Sequence, residues 1–336
     1  MDRLWYIVSA AIFLGLLGRA GAQELVFASA EESRRILSTQ DAFVERMSPF
    51  DRAARMKTDR EVSDRAYREF AASAALDWEQ HEKSTIDTAF RQIRPSIARL
   101  SLPLPGRIYV VKTTGREEGN AAYTREKAIV LPKSILASPE REIRRLLAHE
   151  VFHISSRTHP TLASLLYESI GFYYCREVEF PAKLAPRKIT NPDAPKNDHC
   201  IQLQVGGEKV WGVPILFSRT PRYELSRGGE FFQYLQLALL LVEGPAEPGT
   251  PRLLYDSRGP RLVGLDQVSG FFEQVGRNTE YIIHPEEILA DNFALLVLGE
   301  RNVGSPEVLA RIQNSLAKFS AAEPHAAGDA PKAARP

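Results

Sequence analysis

The sequence predicts an α+β fold, and three observations predict it. Residues 24–100 are rich in Ala, Glu and Arg and carry apolar positions at helical spacing. Residues 107–131 and 200–242 switch to β-branched and aromatic runs broken by turn residues. Helical spacing returns over 267–319. Helices and strands gathered in separate stretches, without a regular βα alternation, are the pattern of an α+β chain.

The order of elements begins with a segment that is not part of the fold. Arg3 precedes an apolar run from Leu4 to Leu17, and Ala20-Gly21-Ala22 offers small residues for cleavage, leaving Gln23 first. The run is short for a bilayer span, which takes about 20 apolar residues. A cleaved signal peptide over 1–22 is therefore expected, with an uncleaved anchor as the alternative, and a secreted or periplasmic location follows. No later segment is long and apolar enough to span a membrane. Residues 23–100 form a helical region in which Leu76, Trp78, Ile86, Phe90, Ile93 and Ile97 make the stripes; residues 23–60 are also candidates for a propeptide. A larger mixed unit over 101–320 follows, and a Pro/Ala-rich tail, 321–336, has the composition of disorder.

Within the larger unit, Arg107–Thr113 and Ala121–Leu131 predict a hairpin around Gly115–Asn120. Ser138-Pro139-Glu140 starts a helix to about Ser156, and Pro160 starts another to about Arg176. Residues 181–199 read as a long loop. Cys200–Ser218 reads as a hairpin around Gly206-Gly207, and Phe231–Val242 and Leu253–Asp256 as further strands. The β-rich stretch 177–265 is expected as an insertion. Helices resume near 267–275, 285–298 and 306–319. Lys+Arg 43 against Asp+Glu 42 gives a net charge of +1, which excludes the global basic excess of a nucleic-acid binder. Cys175 and Cys200 are the two cysteines, and export to an oxidising compartment predicts that they pair.

The chemistry sits in His149-Glu150-Val151-Phe152-His153. Four-residue spacing puts both imidazoles on one helical face, where they can share a Zn²⁺ ion. Glu150, beside the first, is placed as a general base for water activated by the metal. With 7 His and 42 acids in 336 residues, chance supplies roughly 0.02 such patterns per chain, so a functional reading is favoured over a coincidental histidine pair.

A catalytic zinc takes a third protein ligand and keeps one position open. His159 stands at metzincin spacing, but Ser156 occupies the position where that pattern has Gly, and the methionines, Met1, Met47 and Met56, all precede the motif. The other candidate lies in His284-Pro285-Glu286-Glu287-Ile288-Leu289-Ala290-Asp291, where Glu287 and Asp291 share a helical face. This Glu-x-x-x-Asp element, with the first motif, resembles the gluzincin metallopeptidases, the thermolysin-like group of the zincin fold. The resemblance covers the two motif helices and the strands before the first. It implies that Glu287 binds zinc, with neighbouring Glu286 as the alternative, and that Asp291 accepts a hydrogen bond from His149. The long spacer between the motifs departs from the thermolysin pattern and leaves cleft shape open.

Tyr281 and His284 precede the second motif helix and are candidates to stabilise an oxyanion; as alternatives, Tyr281 packs and His284 caps. His199 and Asn191, in the 181–199 loop, are further cleft candidates. The expected activity is that of a zinc-dependent endopeptidase or protein-processing enzyme acting on a peptide or protein substrate outside the cytoplasm. A zincin-like binding or scaffold protein of the cell envelope, with structural or vestigial zinc, is the competing expectation. A non-peptide amide or ester substrate is a third.

Overall fold

A computed structural model describes residues 23–245 and 251–322; residues 1–22, expected as a signal peptide, and most of the tail, 323–336, lie outside the described residues. The chain is a mixed α+β structure. Its first part runs β1 (Glu24–Phe27), α1 (Ala30–Leu37), α2 (Ala42–Arg46), α3 (Pro49–Arg55), α4 (Asp64–Ala72), β2 (Ala75–Leu76) and α5 (Gln80–Arg99). Ser29, Asp41, Ser48 and Ser63 start the first four helices by accepting a backbone N–H of the first turn. The predicted all-helical region therefore contains two strands. Four residues of β1 are too few to show a period, and β1 forms only because β3 supplies a partner.

Strands β3 (Arg107–Thr113), β4 (Tyr123–Arg125) and β5 (Ala128–Pro132) complete the first sheet, ordered β1-β3-β5-β4, with β2 paired to β3. The expected hairpin of 107–131 is corrected here. The tight reversal falls at Glu126-Lys127, where Glu126 takes φ 51°. It splits the second run into β4 and β5, so β5 lies parallel to β3 and antiparallel to β4. This leaves β4 as an edge strand beside the next helix, α6 (Glu140–Thr158).

Glu140 and Glu142 favour the positive N-terminal end of α6, and Pro139 rather than Ser138 takes the cap position. With Ser instead of Gly at position 156, α6 continues to Thr158 before α7 (Pro160–Ser169) begins. Gly171, at φ 84°, ends the α7 turn and starts β6 (Phe172–Tyr174), so the predicted helix is shorter than expected. Then come β7 (His199–Val205), β8 (Glu208–Ser218), β9 (Leu235–Val242), β10 (Tyr255–Asp256), β11 (Gly259–Pro260) and β12 (Leu262–Val263). The predicted hairpin around Gly206-Gly207 is β7–β8, and it lies inside a second, antiparallel sheet ordered β12-β9-β8-β7-β6.

The chain closes with α8 (Phe271–Val275), α9 (Pro285–Leu298) and α10 (Pro306–Ala322). One core joins α5, α6, α7, α9 and α10 to both sheets: Phe90, Leu147, Phe152, Ile201, Leu239 and Phe293 all belong to it. The β-rich stretch expected as an insertion thus packs into the same core as the motif helices. Ala290 and Ala294 are fully buried and let α9 lie close along α6. No helix among the described residues is long and apolar enough to cross a membrane.

Candidate metal centre

The close approach of α6 and α9 brings the two sequence motifs together. His149 and His153 stand one turn apart on α6, their ring centroids 4.7 Å from each other. Each ring is held at Nδ1 by a carboxylate from α9. His149 Nδ1 donates to Asp291 Oδ1 at 3.0 Å, and His153 Nδ1 donates to Glu286 Oε1 at 2.9 Å. The opposite nitrogens converge on one carboxylate oxygen: Glu287 Oε2 lies 3.1 Å from His149 Nε2 and 3.6 Å from His153 Nε2.

The carboxylates are themselves held. Asp291 accepts from the Thr279 hydroxyl, and Glu286 accepts from the Ser156 hydroxyl and, at 2.7 Å, from Tyr167. Ser156, which departs from the metzincin pattern in sequence, thus buttresses Glu286. Glu286, an alternative metal ligand by sequence, points at the far side of the His153 ring and orients it. Such partners fix the tautomer and raise the basicity of a metal-binding imidazole.

His159 is also placed away from the cluster. It sits at the α6–α7 junction, with Nδ1 3.1 Å from Ser155 O and its ring against Phe319. The helix does not turn at Ser156, so His159 cannot swing back over His149. His284 is the cap of α9: its Nδ1 accepts the Glu286 N–H at 3.1 Å. Burial lowers its pKa to about 4, which keeps the capping ring neutral. The cap, which the sequence offered as the alternative role, is the role the structure shows. Tyr281 does flank the cluster, its exposed ring stacked on His149 at 6.3 Å and 29°.

The 181–199 loop supplies one residue that the sequence offered as a cleft candidate and one that it did not reveal. Asn191 Nδ2 donates to Glu287 Oε1 at 2.6 Å. Asp193, which no sequence signal singles out, brings a carboxylate oxygen within 4.8 Å of both Glu150 and His153 ligand atoms. Its Oδ1 accepts from Thr124 N at 2.7 Å and Thr124 Oγ1 at 2.5 Å. His199 pairs with Asp198 at 2.7 Å and packs on Tyr167, apart from Glu287. It lines a cavity of about 570 Å³ that borders the cluster at Ser156, Asp193 and Glu286.

The protonation of the cluster follows from its burial and charges. Burial would lower His149, but hydrogen bonds to Asp291 and Glu287 outweigh it and raise the pKa to about 9. Burial likewise opposes charge on His153, and Asp193 and Glu287 raise it well above the usual histidine range. Glu287 stays ionised far below the usual carboxylate range: burial raises it, but His153 and His149 dominate. Burial, then the Asp193 charge, lifts Glu150 to about 8.

Two buried polar atoms in this constellation lack a hydrogen-bond partner: His153 Nε2 and Glu150 Oε2. An orphaned imidazole nitrogen and a free carboxylate oxygen in a site almost sealed from solvent call for a ligand or water. Among the described residues, His149, His153 and Glu287 form one of two groups of ligand atoms lying within 4.8 Å of one another, and Glu150, His153 and Asp193 form the other. Two imidazole nitrogens and a carboxylate oxygen, backed by further carboxylates, are a donor set that fits zinc.

The expected Cys175–Cys200 disulfide is not formed: both cysteines are buried free thiols. Cys200 pairs directly with Tyr173, while the Cys175 N–H donates to Asp198 O, so the two cysteines are diagonal across β6–β7 rather than opposed. Their thiols are close enough that a hydrogen bond with Cys200 is the main cause raising the Cys175 pKa.

No family model, curated protein or solved structure in the comparisons matches the chain, so fold and site stand on their own geometry.

Proposed function

We propose that the chain is a zinc-dependent hydrolase of gluzincin type with a zincin-like core, acting on peptides. The observation that carries this reading is the meeting of His149 Nε2, His153 Nε2 and Glu287 Oε2 beside a Glu150 whose Oε2 is buried and unpartnered. His149, His153 and Glu287 would hold the metal. Zinc supplies Lewis acidity, which acidifies water and polarises a carbonyl. Glu150 takes the proton of the attacking water and returns it to the leaving amine. Asp291 and Glu286 keep both histidine rings oriented with Nε2 toward Glu287 Oε2, where a metal would be held. Tyr281, its ring stacked on His149, would donate its hydroxyl hydrogen to the developing oxyanion.

Residues 1–22 support export, so the substrate would be met outside the cytoplasm in a secreted or periplasmic setting. The competing reading, a zincin-like scaffold without turnover, gives no role to the free Glu150 carboxylate. The test is metal analysis of the mature chain and hydrolysis of a mixed peptide library, with and without chelator. Stoichiometric zinc and chelator-sensitive cleavage are expected. A Glu150→Gln chain should bind zinc yet lose about 10²–10⁴-fold in kcat. Full function of that variant would establish the scaffold instead.

A further inference from the structure

The 189–193 segment lies across the metal centre, and it is anchored too firmly to be a mobile cover. Ile189 N–H donates to Leu216 O at 2.9 Å, inside the second sheet's territory. Thr190 is held three ways from the N-terminal helices: its N–H donates to Asp51 Oδ2, its hydroxyl to Arg46 O, and its carbonyl accepts from Arg55. Arg157 bonds the carbonyls of Pro192 and Asp193. The rigid strap thus delivers Asn191 to Glu287 and Asp193 to Glu150.

The strap also alters the edge of the first sheet. An edge strand presents unpaired N–H and C=O groups, to which an extended peptide adds as a further strand. Beside the motif helix that edge is β4, and its Thr124 N–H is already taken by Asp193 Oδ1. A peptide running through the site would have to displace this bond and the strap with it. At Asp193 the sheet edge is therefore blocked to an added strand, and a chain terminus is what suits the position.

The charge at that end chooses which terminus. Both Thr124 bonds go to Asp193 Oδ1 and neither to Oδ2, and Glu150, 2% exposed, carries a buried, unpartnered Oε2 and belongs to the same group of ligand atoms as Asp193. His153 Nε2 lies in the same group and would be occupied by the metal; the two carboxylates then suit an ammonium group and repel a terminal carboxylate. The neighbouring Arg157 guanidinium is occupied by backbone carbonyls and offers a carboxylate no free fork.

We propose that Asp193 binds the free α-ammonium of the substrate, so that the site removes residues from peptide amino termini and is not the endopeptidase that the sequence suggested. This rests on the zinc-peptidase reading above. The cavity of about 570 Å³ bordering Asp193 gives the terminal residue's side chain its room.

The test uses the zinc-loaded mature chain and one peptide in two forms, with a free and with an acetylated amino terminus. Wild-type protein should release residues stepwise from the free peptide, and acetylation should lower kcat/KM about 100-fold, the effect of unpairing a buried charge. Asp193→Asn keeps an acceptor for Thr124 and should narrow that ratio below about tenfold. Calorimetric titration of the zinc-loaded wild-type chain with non-hydrolysable forms of both peptides reads binding without turnover, and the free form should bind more tightly by a similar factor. Equal cleavage of both peptides, internal cuts, or equal binding overturns the ammonium site while leaving a peptidase. Cleavage of neither peptide by a zinc-loaded chain overturns the peptidase reading and this inference with it.

Discussion

At the scale of single residues, each histidine of the cluster has one nitrogen committed to a carboxylate and one directed at Glu287. A metal must replace whatever proton the second nitrogen carries. Because hydrogen bonds from His149 to Asp291 and Glu287 outweigh burial, its pKa in the metal-free chain is about 9. Below that pH the ring is protonated, and zinc binding expels the proton. Apparent zinc affinity should therefore rise about tenfold per pH unit for each proton displaced, flattening near the histidine pKa values. The stability sign agrees. Both histidines have folded pKa values above their unfolded ones, so their contribution is full below the ordinary histidine pKa and is lost as pH rises through the raised values. The gap in Tm between zinc-loaded and metal-free chains should widen from neutral pH upward. Competition titrations and thermal melts across that range check both, and a pH-independent affinity would contradict the assignment. Replacing an orienting carboxylate, by Asp291→Ala or Glu286→Ala, should weaken zinc about 10- to 100-fold in the same titration.

At the scale of elements, what was legible in the sequence was what one helix encodes by itself. The spacing of His149 and His153, and of Glu287 and Asp291, projects each pair onto one face wherever the helix lies. Which of Glu286 and Glu287 faces the two Nε2 atoms depends on how α9 is rotated against α6. That rotation is set by the packing of Ala290, Ala294 and Phe293, which no local pattern reports. Asp193 was invisible for a further reason: a loop has no period, and its return to the site is fixed by contacts with Thr124, Arg157 and the helices before it. Those contacts centre on a buried ion cluster in which Arg55 pairs with Asp51 and Glu118 and caps the Thr190 carbonyl. Arg55 and Asp51 have side chains with no solvent exposure. Arg55→Met leaves two buried carboxylates without their cation and should destabilise the fold by about 3–5 kcal/mol. Urea unfolding measures this. If the cluster also sets the strap, zinc-loaded Arg55→Met protein that remains folded should lose kcat/KM; an unchanged value would separate the cluster from the site.

At the scale of the whole molecule, the question left by the sequence is whether residues 23–60 are a removable leader or part of the working fold. The structure gives them two kinds of attachment. β1 pairs in parallel with β3, from Glu24 opposite Arg107 to Phe27 opposite Val110, and so forms an edge of the first sheet. Leu37, Phe43, Val44, Phe50 and Ala54 are buried in a second core with Val111, Tyr123 and Val130 of the first sheet and Leu216 and Tyr234 beside the other. The segment therefore fastens the two sheets together on the side away from α9. Burial of each large apolar side chain contributes about 1.5–3 kcal/mol. Loss of several at once exceeds much of the roughly 5–15 kcal/mol by which a domain is stable. The Thr190 anchors from Arg46, Asp51 and Arg55 would go with them, releasing the strap that brings Asn191 and Asp193 to the His149–His153–Glu287 cluster. A chain beginning at Glu61 should accordingly show no cooperative thermal transition and should not hold zinc stoichiometrically, whereas one beginning at Gln23 should do both. A sharp transition with bound zinc in the shorter chain would mean that the segment is a propeptide after all, and that the site is complete without the helices that now hold its strap.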